Sequence, residues 1–526
     1  MHLRNKELSV KNNLMDEYLN FSKFIKNNIP LLVVTMFFTI FSYGCLLFYY
    51  RISIDGETML SNYEGTLGWW ITLERFILVV IKKITDVNSF NTYSATFLQI
   101  CLIFVFGIMW SYLVYYFSNN NKKFLWIFTI IFITYPTFAE QFYFVLQGSE
   151  VALAISLSAL AVFFISKWIL LKCDKSYFVL GIIFMVISFG TYQALVPLYI
   201  SGVLAVFILY YINNINIQKY KFMEITKKYI LSFLLGIFLY KLIGKLLIKI
   251  FRSTESTEYL SNQIKWKYNT FNECINNIYV YIKDMIWNDN YFSNRFYIVI
   301  SIILLLSSIF YIIKRKNGSI IFLVANITFL ISPFFLAIVF GSQTVPRTQL
   351  QFPLVIAIGA YIILIFLKNN NYKIIRVITL LYLCIIAFHQ AQITSKFFYS
   401  DYIRYQQDVT LANKITYTID QIQAEYDEIY PVVFIGRYDH KLPSSCIKGE
   451  AIGASFFDWY PEASTWEATD RVLSFMDSLG YKYKFPSEQD MDKGREISND
   501  MPSWPNKDSI KLEDGIIVVK LSDSVR

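Results

Sequence analysis

Long apolar blocks recur along this chain, and they constrain its fold more than any other feature of the sequence. An apolar helix of about 20 residues spans the hydrocarbon core of a bilayer. Eleven such blocks predict a polytopic α-helical membrane protein with about 11 transmembrane helices. The predicted spans are roughly 29–50, 94–117, 124–143, 150–171, 177–191, 194–212, 229–250, 295–313, 319–340, 350–367 and 374–394.

The composition agrees with this class of protein. Of the 526 residues, 55% are hydrophobic and only 17% are charged, whereas about a quarter of the residues of a soluble protein are charged. The net charge of +9 comes from basic residues that lie mostly between apolar blocks. Membrane proteins place basic residues there to set their orientation, so the charge does not indicate a nucleic-acid partner.

The basic clusters predict how the chain crosses the cell's inner or plasma membrane. Short basic segments follow the even-numbered spans, which puts them on the same side as the amino terminus, and the positive-inside rule makes that side cytoplasmic. Residues 1–28 are then a cytoplasmic segment and residues 29–394 the transmembrane domain. Residues 395–526 are predicted to be extracytoplasmic, as are the loops 51–93 and 251–294.

These extracytoplasmic regions have distinct patterns. Apolar residues recur at helical spacing in 51–93, which predicts an amphipathic helix in the membrane interface. Residues 395–526 alternate helical periodicity with β-branched runs, which predicts a small α/β domain. Cys274 and Cys446 fall outside the membrane, where a disulfide could form. The three histidines are scattered along the chain, so no zinc site is indicated.

Two acids follow the first predicted span. Asp55 and Glu57 are separated by Gly56, and in an extended loop the side chains of residues two apart point the same way. A partly desolvated carboxylate at a membrane surface can act as a general base on a hydroxyl group. Position alone does not distinguish this role from that of two solvated loop acids.

Several basic residues are candidates for binding a phosphate near the outer leaflet. Arg75 lies in the predicted interfacial helix, and Arg347 lies in a short outside loop. Lys241 and Lys245 share one face of the seventh span, where a charge needs a partner or a watery cavity. Alternatively, Lys245 could extend to the headgroups.

A further set of side chains is predicted to lie at the outer level of several spans, which is how a site assembles. Packing or hydrogen bonding could explain each one individually. The polar candidates are Glu140, Gln141, Tyr192 and Gln193. Trp69 and Trp70 could stack against sugar rings or belong to the aromatic belt of a membrane protein.

Several stretches resemble a known family. They are "ISIDGE…GWWITLERF", "YPTFAEQFYF", "GTYQAL", "VPRTQL", "YSDYIRYQQDVTLANKI" and the tail "GASFFDWY…FMDSLGY…MPSWPNKDSIKLEDGIIVVKLS". Together they are similar to the serotype-converting O-antigen glucosyltransferases of the type II group. Two features depart from that pattern: Gly56 separates two acids expected to be adjacent, and "LERF" stands where a glycine is expected before the arginine.

The resemblance implies a C-type (GT-C-like) glycosyltransferase that uses a polyprenyl-phosphate sugar and carries an acidic motif in its first outside loop. A hexose, glucose in this family, would pass with inversion to a cell-surface glycan such as O-antigen. Asp55 would be the base, and Glu57 would orient the acceptor or help to hold a divalent cation. No other cofactor is expected.

The remaining candidates take roles around this reaction. The cations would stabilise the leaving phosphate, namely Arg347, Arg75, Lys245 and Lys241. Trp459 and Trp504 of the outer domain would help to hold the acceptor. The alternatives are a polysaccharide polymerase or ligase, a lipid-linked sugar flippase, and a receptor-like or structural membrane protein.

Overall fold

The structure is a computed structural model, and it describes eight ranges of the chain. These are residues 2–213, 219–251, 264–287, 295–314, 319–369, 372–426, 429–459 and 465–523. Of the predicted loop 251–294, residues 252–263 and 288–294 lie outside the described residues.

The described chain is mostly helical. Its first nine helices are α1 (His2–Asn27), α2 (Ile29–Tyr43), α3 (Gly56–Ser61), α4 (Tyr63–Thr72), α5 (Phe76–Thr85), α6 (Thr92–Phe117), α7 (Leu125–Ile133), α8 (Thr137–Tyr143) and α9 (Val145–Leu170). The next nine are α10 (Lys175–Thr191), α11 (Leu195–Asn213), α12 (Lys219–Ile250), α13 (Phe271–Trp287), α14 (Arg295–Lys314), α15 (Ser319–Ile331), α16 (Phe335–Phe340), α17 (Gln351–Asn369) and α18 (Lys373–Tyr426).

A small sheet domain follows α18. Its elements are β1 (Val432–Ile435), α19 (Thr465–Ser478), α20 (Glu488–Ser498), β2 (Ile510–Glu513) and β3 (Ile516–Lys520). The strand order is β1-β3-β2. β1 pairs with β3 in parallel, and β2 pairs with β3 antiparallel. The sequence predicted a small α/β tail, and the described residues contain one.

The described helices support a multi-pass membrane protein, with fewer full-length spans than the sequence predicted. Eight described helices are long and apolar enough to cross a membrane, and α7 with α8 makes a ninth if this pair, bent by 52°, is one broken span. Two shorter apolar helices, within Lys175–Thr191 and Phe296–Phe310, stand at the other predicted positions. The exact number of eleven is not established.

The spans differ in how far protein surrounds them. The most apolar window of α9 is 78% buried, whereas that of α12 is only 22% buried. α6 and α10 both pack on α9, and a side chain at Gly181 of α10 would come within 2.6 Å of Ile165 of α9. α9 is therefore at the centre of the bundle, and α12 leaves most of its apolar surface for lipid.

The helix α18 runs unbroken for 54 residues. It begins with exposed apolar side chains, which suit a lipid environment, and continues into a segment whose buried face carries Asp401, Arg404 and Asp408. The predicted boundary between the residues 29–394 and the tail therefore falls inside one continuous helix.

The segment 51–93 differs from the expectation of one amphipathic helix. It contains three short helices, α3, α4 and α5. Glu74 adopts a left-handed backbone conformation with φ of 60° between α4 and α5. This conformation is unfavourable within a helix of L-residues, so one continuous helix cannot pass through Glu74.

The six cysteines are all free in the structure. A disulfide between Cys274 and Cys446 is therefore not formed. Cys274 is buried and faces Gly341, and Cys446 lies in the loop after β1.

A buried ion pair joins the start of the segment that follows the first span to α18. Arg51 bonds to Asp401, and the two side chains are only 3% and 5% exposed. The Arg51 guanidinium also lies over the rings of Tyr143, at 5.5 Å, and Phe398, at 5.2 Å. This pair fixes where the chain leaves the first span, directly before Asp55.

We predict that Asp401→Ala destabilises the protein by about 3–5 kcal/mol, because it leaves the Arg51 charge buried without its partner. The double variant Arg51→Met with Asp401→Leu should regain much of this loss. Thermal unfolding in detergent measures both effects. Asp492→Ala is the matched control, since Asp492 pairs with Arg495 at an exposed site, and it should cost less than about 1 kcal/mol. Equal losses for Asp401→Ala and Asp492→Ala would contradict the prediction.

Candidate functional site

Asp55 and Glu57 lie at the start of α3 and not in an extended loop. A turn precedes the helix, closed by the Gly56 N–H bonding to the Ser53 carbonyl at 2.8 Å. Asp55 adopts a left-handed conformation with φ of 67°, which aspartate tolerates better than most residues. The turn leaves the Asp55 side chain 53% exposed, while the Glu57 side chain is fully buried.

Arg471 joins these two carboxylates. One of its nitrogens lies 3.3 Å from an oxygen of Asp55, and the other bonds to Glu57 Oε1. Arg471 belongs to α19 of the sheet domain, which packs on α3. The sheet domain thus supplies a cation to the acidic pair of the segment that follows the first span.

The electrostatics of this cluster follow from burial and from charge. Burial raises the pKa of the Glu57 carboxyl to about 8, and the attraction of Arg471 opposes this rise. Burial by itself lowers the pKa of Arg471, but the charges of Glu57 and Asp55 outweigh it and raise that pKa. Glu57 Oε2 is buried and has no hydrogen-bond partner among the described residues.

The segment 140–147, which spans α8 and the first turn of α9, is the second part of the site. Its Tyr143 hydroxyl accepts a hydrogen bond from the Ile54 N–H at 2.9 Å. This bond holds the backbone immediately before Asp55. The segment is thereby tied to the turn that carries the acidic pair.

Glu140 of this segment holds a loop of the sheet domain. Its fully buried carboxylate accepts hydrogen bonds from the backbone N–H groups of three consecutive residues, 450–452. A side chain at Gly449 would lie 1.8 Å from a Glu140 oxygen, so only glycine allows this approach. The sequence predicted Glu140 to bind substrate, and the structure places its oxygens on protein backbone.

Arg347 reaches the same loop and the same segment. Its guanidinium lies 3.0 Å from a carboxylate oxygen of Glu450 and 5.0 Å from the ring centre of Phe144. Burial raises the pKa of Glu450, and Arg347 opposes that rise. Arg347 therefore lies where the membrane helices meet the loop held by Glu140.

Arg75 contacts the carboxyl-terminal end of the segment. It donates to Gln147 Oε1 at 3.2 Å and to Gln193 Oε1 at 3.3 Å, and it lies 5.0 Å from the ring centre of Tyr192. Gln193 also donates to the Tyr240 hydroxyl at 3.1 Å. Among the described residues Arg75 has no ion pair.

The other predicted site residues differ in their exposure and in their contacts. Lys241 forms an ion pair with Glu74, and Lys245 is exposed one turn further along α12. Trp69 is 49% exposed, whereas Trp70 is buried. Gln141 is buried, and neither polar atom of its amide has a hydrogen-bond partner among the described residues. The structure thus brings Asp55 and Glu57 together, connects Glu140, Arg347 and Arg75 through segment 140–147, and leaves Lys245 outside this cluster.

Sequence reasoning missed Arg471, Gln147 and Glu450. Arg471 follows an aspartate in an amphipathic helix, where a charge is normally solvated. No local signal distinguishes it, because its partner Glu57 is 414 positions away.

The described residues contain no group of three or more side chains suited to a metal ion. Asp55 and Glu57 both contact the Arg471 guanidinium, so their charge already has a cationic partner. This arrangement does not form a ligand set for a divalent cation, which needs several oxygen ligands, and no step of the chemistry below depends on one.

The comparisons with known proteins identify the family. A family model described as glucosyl transferase GtrII matches residues 44–366, more than half of the chain. The chain belongs to the GtrII family. The family resemblance seen in the sequence is confirmed, and the chain is a glycosyltransferase.

The match to the GtrII family covers one part of the site. It includes Asp55, Glu57, Arg75, Glu140 and Arg347, and it ends before the loop 450–452 and Arg471. The search of curated proteins and the search of solved structures found no significant match to the chain.

We predict that the thermal stability of this GtrII family member falls between about pH 4.5 and pH 8 because of Glu57. The folded protein retains a proton on Glu57 that the unfolded chain has already released, so the associated stabilisation is complete below pH 4.5 and is lost as the pH rises towards 8. Glu57→Gln removes this proton equilibrium and should make the fall shallower. Two other fully buried carboxyls, Glu140 and Asp408, keep part of the dependence, since burial also raises the pKa of Asp408 to about 7. Unfolding temperatures measured in detergent across this range test it.

Glu64→Gln is the matched control, because Glu64 is 74% exposed in the neighbouring helix α4. Its pH dependence should parallel that of the parent. If the Glu57→Gln variant also parallels the parent, the pKa assigned to Glu57 is wrong.

Proposed function

We propose that the protein transfers glucose from polyprenyl-phosphate glucose to a cell-surface glycan such as O-antigen, with inversion at the anomeric carbon. The single observation that carries the proposal is the cluster in which Arg471 contacts both Asp55 and Glu57. Membership of the GtrII family supports the glucosyl transfer. The lipid-linked donor, the acceptor and the roles of the residues are part of the proposal.

Asp55 is the general base in this proposal. About half of its side chain is exposed, so an acceptor hydroxyl can approach it, whereas Glu57 is fully buried. The left-handed backbone conformation of Asp55 is energetically unfavourable for most residues. Active sites keep such conformations where the surrounding structure enforces them. The turn closed by Gly56 and Ser53 imposes this conformation.

Glu57 orients the base through Arg471. The guanidinium is planar and can bond two carboxylates in fixed directions, and it bonds Glu57 and Asp55 at the same time. Glu57 thereby sets the direction of the Arg471 head group, and Arg471 sets that of Asp55. The acceptor would contact Asp55 from its exposed side.

The reaction is a single displacement. The acceptor oxygen forms a bond to the anomeric carbon while the bond from that carbon to the phosphate oxygen breaks. The acceptor proton passes to Asp55, and the electron pair of the broken bond leaves with the polyprenyl phosphate. Because a carboxylate on one face and a leaving group on the other act in one step, the configuration inverts.

Cations must stabilise the charge that develops on the phosphate. Arg75 is suited to this role, since its described partners are neutral amide oxygens and an aromatic ring. Arg347, at the other end of segment 140–147, can also stabilise the phosphate, although its charge is partly neutralised by the ion pair with Glu450. Lys241 would have to leave Glu74 to take part, and Lys245 could attract the lipid phosphate from the exposed face of α12.

The orientation in the membrane is part of the proposal. The span Ile29–Leu47 separates the amino terminus from Asp55. Since Arg471 of the sheet domain contacts Asp55, both belong on the side opposite to the amino terminus. With the basic loops cytoplasmic, the acidic pair and the sheet domain are extracytoplasmic, at the outer face of the inner or plasma membrane.

We predict that Asp55→Asn lowers glucosyl transfer by at least ~100-fold, because it removes the base while asparagine still tolerates the left-handed backbone. Glu57→Gln should lower transfer less, by about tenfold, since glutamine keeps a hydrogen-bond acceptor for Arg471 but cannot ionise, so the stronger charge-assisted bond is lost. The assay uses membranes, labelled polyprenyl-phosphate glucose and surface glycan. Product stereochemistry by NMR tests inversion.

The control for these variants is Glu64→Gln, which changes an exposed acid of the same outside segment. It should transfer glucose at the rate of the parent. Full transfer by Asp55→Asn would refute the assignment of the base, and retention of configuration would refute the single displacement.

We predict that a reporter active only outside the cytoplasm works when it is fused after Arg526 and fails when it is fused before Met1. The reason is the contact between the sheet domain and the segment that follows the first span. Alkaline phosphatase activity in intact cells, normalised to the amount of fusion protein, is the measurement. Activity of the amino-terminal fusion, with an inactive carboxyl-terminal one, would reverse the proposed orientation.

A further inference from the structure

A cleft on the outer half of α18 lies apart from the acidic pair. It has a volume of about 500 Å³ and is lined by Thr410, Asn413, Lys414, Tyr417, Thr418 and Trp504. Five of these residues follow one another at helical spacing on the exposed face of α18, and Trp504 approaches from the sheet domain.

We propose that this cleft is a binding subsite for the acceptor glycan, one that holds sugar units away from the unit that receives glucose. The inference rests on the proposed function and deepens it.

The lining has the chemistry that a sugar chain requires. A pyranose ring has an apolar face of C–H groups, which an indole can cover, and a rim of hydroxyl groups that donate and accept hydrogen bonds. The cleft offers one tryptophan together with hydroxyl, amide and ammonium groups. It contains no carboxylate, so a neutral or an acidic glycan can enter without meeting a like charge.

Two of the lining residues are held in place before any ligand arrives. The backbone N–H of Trp504 donates to the Lys520 carbonyl at 2.9 Å, and the Lys520 ammonium donates to the Met501 carbonyl at 2.7 Å. The strand β3 therefore fixes both ends of the segment 501–504. Asn413 accepts a hydrogen bond from the Tyr481 hydroxyl at 3.1 Å, which leaves its NH₂ group to donate. Preorganised groups of this kind lose less entropy on binding.

The position of the cleft distinguishes the acceptor from the donor. Tyr405 of α18 packs on Phe475, one turn beyond Arg471 in α19, with ring centres 6.1 Å apart. Asn413 lies eight residues further along α18, which is about 12 Å at 1.5 Å per residue. A lipid-linked monosaccharide is anchored in the membrane, whereas a polymeric acceptor extends from the reaction site and can reach Trp504.

The experiment compares acceptors of two lengths with the full-length protein in detergent. Surface polysaccharide released from the cells that carry the protein is separated into single repeat units and chains of several units. We expect Trp504→Ala to raise the KM for the long chains about tenfold, because contacts with remote parts of a substrate contribute to its binding. The KM for single units and for the donor should stay at the parent values.

Three further variants control for loss of structure. Trp504→Phe keeps a flat apolar ring and should stay within about twofold of the parent. Tyr417→Ala changes a side chain that is 66% exposed, so it should raise the long-chain KM without affecting folding. Trp466→Ala removes an exposed tryptophan of the sheet domain that lies outside the cleft, and it should change neither KM.

The outcomes separate the two proposals. If the parent transfers glucose and both Trp504→Ala and Tyr417→Ala keep the parent KM for long chains, the subsite is refuted. An equal rise for both acceptor lengths also refutes it. If the parent transfers no glucose, the proposed function fails, and calorimetric titration of the long chains then tests the cleft alone. Binding that weakens in Trp504→Ala supports the subsite, and no binding to the parent refutes it.

Discussion

The interaction on which the site depends is the hydrogen bond between Arg471 and the buried Glu57 carboxyl. A carboxylate removed from water is costly unless a cation compensates it, and the cation here comes from a different part of the chain. The sheet domain must therefore dock on the segment after the first span before the buried Glu57 carboxyl has a cationic partner, and burial still raises the pKa of Glu57 to about 8. The same guanidinium contacts Asp55, so domain docking and the arrangement of the acidic pair are one event.

The segment 140–147 organises the rest of the site, also through contacts between distant parts of the chain. Within eight residues it supplies an acceptor for the Ile54 N–H, an acceptor for the loop 450–452, a ring beneath Arg347 and an amide for Arg75. A break between α8 and α9 at Phe144 allows these side chains to diverge towards different partners. Glu140, Tyr143 and Gln147 each have a hydrogen-bond partner, and such bonds rigidify a buried network, whereas the Gln141 amide has none among the described residues.

Much of this architecture could be predicted from the sequence, because apolar length and alternation are local signals. They predicted the membrane helices, the α/β tail and the position of Asp55 and Glu57 directly after the first span. The turn geometry at Asp55 was missed, since Gly56 fits a loop as well as a helix start. Arg471 could not be predicted, because only the docking of the tail makes it a partner of Glu57. Glu140 was recognised as unusual, but a buried carboxylate can serve substrate or backbone, and its partners depend on the tertiary fold.

The unbroken helix α18 determines how far the sheet domain lies from the membrane. At 1.5 Å per residue its 54 residues extend for about 80 Å, from the lipid to the far end of the sheet domain. A stiff rod of this kind keeps the height of every attached group above the bilayer constant. It acts as a spacer, so the distance between the lipid and the sheet domain is set by the length of one helix.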